Sequence, residues 1–80
     1  MIDRGTEIQQ RREASGISQA DLARHLKIDR SYVGHLEAGR GLKPMSDVTY
    51  HRLHNAINEI WAQREQRREA LSQAGGGGRA

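Results

Sequence analysis

Arg30, Ser31, Tyr32, Gly34 and His35 fall on one face of a short helical stretch, opposite the aliphatic residues that share it. That face has little reason to be inside. A guanidinium, two hydroxyls and an imidazole at such spacings can donate and accept hydrogen bonds toward a polar surface. They do not make up a catalytic unit. The chain has no cysteine, no supporting motif around any Ser, His and Asp, and no glycine loop after a strand to cradle a phosphate. His51 and His54, three residues apart on a helix, lack a third or fourth ligand and read as surface residues rather than a metal site. An enzyme is the least favoured class, and neither metal nor cofactor is expected.

The face depends on how Ser18 to Gly39 folds. Ser18 and Asp21 form a capping pair for one short helix, and Asp29 can cap a second. Lys27-Ile28 between them suffices only for a tight turn, and Gly39 stands where a left-handed helix stop costs least. Leu22, Ala23, Leu26, Ile28, Val33 and Leu36 then fall where the inner faces of the two helices meet, with Ala23 permitting close approach.

This stretch resembles the Cro/repressor-like (xenobiotic-response-element type) helix-turn-helix regulators. The residues that carry the resemblance are Ser18-Gln19, Leu22-Ala23, Leu26 and Ile28-Asp29, then Ser31, Val33, Leu36-Glu37 and Gly39-Arg40, with Arg12 and Gly16-Ile17 ahead of them. It spans about Thr6 to Ile57. It implies an all-α, lambda-repressor-like helix-turn-helix bundle of about four helices, with a long C-terminal helix.

On this resemblance the second helix of the pair is the recognition helix, and Arg30, Ser31, Tyr32 and His35 are base-contacting candidates. Arg30 can fork onto guanine O6 and N7, Ser31 can donate or accept, and His35 can reach a base or a phosphate. Tyr32 either lies against a thymine methyl or a sugar, or packs on the first turn with its hydroxyl at a phosphate. Gly34 either lets the backbone approach DNA or relieves crowding with the preceding helix. Gln19 is either an ordinary helix former or a phosphate contact, and the resemblance favours the second. It also makes Arg40 and Lys43 phosphate candidates and pairs Arg12 with Glu37 as a structural ion pair. Lys27 stands where relatives often carry Gly, so the turn either differs or accepts a positive φ. The aliphatics after Pro44 fit only if one extra residue is allowed there.

Thr6 and Gln9 read as a capping box that starts the first helix, with residues 1–5 a flexible arm. The last helix begins at Ser46 or Asp47 and meets no breaker until Gly75, about 28 residues or ~42 Å. Its stripe of Tyr50, Leu53 and Ile57 closes the core, whereas Ile60 and Trp61 lie beyond it as candidates for a dimer interface. The helix-turn-helix domain is expected over residues 6–61, a charged extension of the last helix open to dimerisation over 62–74, and a flexible Gly-rich tail over 75–80.

Eighty residues with a net charge of +3 make one small domain and only a modest cation excess. Neither a hydrophobic signal core nor a long apolar run is present, so no membrane partner and a cytoplasmic location are expected. The leading expectation is a sequence-specific double-stranded DNA-binding regulator, a homodimeric repressor or autoregulator of a nearby promoter reading an inverted repeat. The alternative is an antitoxin-like interaction module that works through the C-terminal helix, with DNA binding secondary or lost.

Overall fold

The computed structural model describes residues 3–39 and 44–77, with side chains through 72. Its elements are α1 (Arg4–Ala14), α2 (Gln19–Leu26), α3 (Arg30–Ala38) and α4 (Asp47–Gly77), with no strand among the described residues. The helix boundaries follow from the caps. Ser18 Oγ accepts from the Asp21 N–H at 3.0 Å while the Asp21 carboxylate accepts from the Ser18 N–H at 3.3 Å, a reciprocal box at the start of α2. Asp29 caps α3 by accepting from the Ser31 N–H at 2.9 Å. Gly39 closes α3 at φ 65°, and Lys27 closes α2 at φ 59°. The turn therefore accepts the left-handed lysine, a cost of about 1 kcal/mol.

Two ends differ from the sequence reading. Helix α1 starts at Arg4 rather than Thr6, because Asp3 is its cap and accepts from the Thr6 N–H at 2.8 Å. Residues 3–5 are accordingly not an arm. Gly5 is buried, and Arg4 bonds the Met45 carbonyl and Asp47 while its guanidinium lies 4.9 Å from the centre of the Tyr50 ring. At the other end α4 continues through Gly75 to Gly77, with no left-handed stop at the first glycine.

The core is Ile8, Ile17, Leu22, Ala23, Val33, Leu53, Ala56, Ile57 and Ile60, with Leu26, Ile28, Leu36, Met45 and Tyr50 packed around it. Ile60 thus belongs to the interior, 7% exposed, and not to an outer surface. Successive turns of α4 place Leu53, Ala56, Ile57 and Ile60 on one stripe, so the core extends one turn further than Ile57. Past it the contacts are polar. Arg64 donates to the Gly16 carbonyl at 3.0 Å and to Asp21 at 2.8 Å, strapping α4 across the start of α2. The Asp21 carboxyl is held below the usual carboxylate range, first by Arg64 and then by the Ser18 N–H. Because its value is depressed in the folded state, this tether contributes at neutral pH and is lost as pH falls through the carboxylate range. Trp61 and Leu71, 51% and 67% exposed, remain on the projecting part of α4, and the molecule measures 60 × 26 × 18 Å.

Candidate nucleic-acid interface

The base of the site is a buried ion pair. Arg12 Nε and Nη2 donate to the two oxygens of Glu37 at 2.7 and 2.9 Å, and Nη1 donates to the Ile17 carbonyl at 2.8 Å. Arg12 and Glu37 are only 6% and 4% exposed. The hydrogen bonds that the guanidinium donates to Glu37 hold its pKa above the ordinary value, against the opposing effect of burial. A fork on both carboxylate oxygens leaves no buried side-chain donor or acceptor unmatched among the described residues. Through Glu37 the inner side of α3 is anchored to α1.

Gln19 joins this network. Its amide donates to Glu37 Oε1 at 3.1 Å, so the side chain the sequence assigned to a phosphate has a structural contact inside the protein. Its second amide N–H remains, as do the Gln19 and Ala20 backbone N–H groups, the Asp21 N–H being taken by the Ser18 cap. Gly34 faces this same side chain. A Cβ built there meets the Gln19 amide at 3.6–3.9 Å, ordinary contact, so no crowding requires the glycine. Gly34→Ala is therefore expected to stabilise the fold by about 0.5–1 kcal/mol, the helix-propensity difference. Thermal unfolding checks the gain. A lowered Tm would mean that α2 and α3 lie closer than these distances.

The outer side of α3 is open. Ser31, His35 and Ala38 recur at i, i+4 and i+7 and are all exposed, and Arg30 at the first helical position is exposed as well. Ser31 Oγ donates to the exposed Asp29 cap at 2.9 Å, which commits its proton there and leaves its lone pairs as acceptors. The Ser31 backbone N–H, followed by the hydroxyl, keeps the Asp29 carboxyl below its ordinary value. Tyr32 lies on the flank of α3 toward α4, its ring half-exposed beside Ile28, Leu36, Thr49 and Arg52. Ser31 and His35 thus share the outward stripe, with Arg30 and Tyr32 exposed on its two sides. Arg40 and Lys43 lie outside the described residues. Trp61 is on α4, away from this surface.

Sequence reasoning missed the side chains that hold α4 in place. His25 Nε2 lies 2.8 Å from Glu59 Oε1, Arg11 donates to Asn58 at 3.0 Å, and the Tyr50 hydroxyl donates to Glu7. The partners are more than thirty residues apart, so no local spacing announces them. Among the described residues no three metal-binding side chains cluster, and no helix is long and apolar enough to cross a membrane.

The arrangement of α2, tight turn and α3 agrees with the comparison to protein families. The profile of one family, described as helix-turn-helix domain, matches residues 5–56, well over half of the chain. Among curated proteins and among solved structures nothing matches. The match begins at the buried Gly5 and ends within the core stripe of α4, taking in every element that supports the exposed side of α3. The chain belongs to the helix-turn-helix family of DNA-binding domains.

Proposed function

We propose that this chain is a sequence-specific double-stranded DNA-binding transcriptional regulator of the Cro/repressor type. It acts as a dimeric cytoplasmic repressor that occupies an inverted repeat near a promoter. The observation that carries this reading is the asymmetry of α3. Its inner side is locked through Glu37 to Arg12 and Gln19, while its outer side presents Arg30, Ser31 and His35 with no core to cover them. A helix held so rigidly can place donors and acceptors against base edges in the major groove.

Arg30 forks onto a guanine, Ser31 accepts from a base amino group, and His35 reaches a base or phosphate one turn further along. The second N–H of Gln19 and the amides at the start of α2 hold a backbone phosphate, with Arg40 and Lys43 adding cations after α3. Trp61 and Leu71, exposed on the part of α4 that outruns the core, meet a second copy of the chain. Two recognition helices related by that axis read half-sites about 34–36 Å apart.

Selection of duplexes from a randomised pool should enrich an inverted repeat, and sedimentation of the complex should find two chains per duplex. On the enriched duplex, Arg30→Ala is expected to cost about 1–3 kcal/mol and to relax preference at one position in each half-site. Enrichment of no sequence, or an Arg30→Ala variant with unchanged affinity and preference, would overturn the assignment.

A further inference from the structure

The structure also points to a subsite that spans two helices. Tyr32 is on the edge of α3 that faces α4, and between the helices lies a shallow notch of about 60 Å³ lined by Tyr32, Thr49 and Arg52 together with the aliphatic Leu26, Ile28, Leu36 and Leu53. No acidic side chain lines it. Arg52 is exposed and makes no ion pair or side-chain hydrogen bond among the described residues. Most other described arginines are engaged: Arg4 with Asp47, Arg11 with Asn58, Arg12 with Glu37, Arg24 and Arg64 with Asp21, and Arg68 with Glu65. Arg52 is thus a cation left available, and it lines the same notch as Tyr32 of α3.

The width of a helix decides what such a pair can reach. A helix about 10–12 Å across fills a major groove about 12 Å wide, so its outward stripe meets base edges while its flanks meet the phosphate walls. Ser31 and His35 are on the stripe, and Tyr32 is on the flank. We propose that Tyr32 and Arg52 form a phosphodiester subsite, the hydroxyl and the guanidinium donating to oxygens of one backbone phosphate beside the groove. The inference rests on the DNA-binding reading of α3 and deepens it. It moves Tyr32 from base reading to backbone positioning, and it makes α4, in addition to α2 and α3, part of the DNA-binding surface.

The probe is the duplex enriched from the randomised pool, with a scrambled duplex of the same length, titrated at several salt concentrations. Arg52→Gln is expected to weaken both duplexes alike, by about tenfold on the enriched one, and to reduce the salt slope by about 1. Tyr32→Phe should weaken both about threefold and leave the slope unchanged, since it removes a donor and no charge. The double variant should lose less than the product of the two, because both groups serve one phosphate. Neither change should lower Tm. Arg30→Ala is measured alongside. If Arg30→Ala relaxes base preference while Arg52→Gln keeps both affinity and slope, the subsite is wrong and the reading of α3 stands. If Arg52→Gln or Tyr32→Phe alters preference at a single base pair, the contact is to a base and the subsite is equally overturned. Parent-like behaviour of the Arg30 and Arg52 variants together would remove the reading and the subsite.

Discussion

Glu37→Ala is expected to destabilise the folded chain by about 3–5 kcal/mol, the cost of leaving a buried guanidinium without its counter-charge. Arg12 would keep the Ile17 carbonyl and a 4.0 Å approach to the half-exposed Glu13 carboxylate, and Gln19 would lose its acceptor on Glu37. For a domain of this size the loss approaches the whole stability, so Tm should fall by tens of degrees. Arg12→Ala should cost a similar amount for the converse reason, a stranded carboxylate. The double variant Arg12→Met with Glu37→Leu should lose far less than the sum, because it buries apolar groups and strands no charge. Urea unfolding of the three variants checks the set. Single variants that unfold with the parent would show that the pair contributes nothing. Additive losses in the double would mean that packing, not charge, is what the single variants destroy.

Gly5→Ala carries the second large effect. A Cβ at this position would come 2.6 Å from the Leu36 carbonyl oxygen and 2.7 Å from that of Glu37. Both are backbone atoms at the end of α3, so no side-chain rotation relieves the contact and α1 must retreat from α3. Overpacking of this kind costs about 1–3 kcal/mol. It should be felt beyond Tm, since the displaced segment contains Glu37 and the displaced helix contains Arg12. The informative comparison is with Gly34→Ala, the same chemical change at a site with ordinary clearance. The two substitutions are expected to move Tm in opposite directions. A Gly5→Ala variant as stable as the parent would show that α1 and α3 do not touch at this point.

These two glycines mark the boundary between what local pattern and tertiary contact each decide. The capping residues Ser18, Asp21 and Asp29, the left-handed Gly39 and the three- and four-residue spacing of the aliphatics are local signals, and from them the paired helices, the tight turn and the exposed side of α3 were legible. The pairing of Arg12 with Glu37 is carried by resemblance, because no spacing in the chain links residues twenty-five apart. Gly5 reads as part of a loose terminus until α3 is placed against it. Ile60 looks as ready for an outer surface as for the core, since helical period specifies a stripe but not how far the neighbouring helices cover it.

The same holds within the site. Gln19 has one local environment whether its amide meets a phosphate or Glu37, and only the approach of α3 directs it to the carboxylate. Tyr32 is one step from Ser31 in sequence, yet a step of about 100° around the helix takes it from the outward stripe to the notch beside Arg52. Cap chemistry and hydrophobic period act over a single turn, and they sufficed to determine the helices and which side of α3 is bare. Which buried polar groups meet and how far α4 is covered depend on contacts between residues eighteen or more apart, and those exist only once the helices have packed.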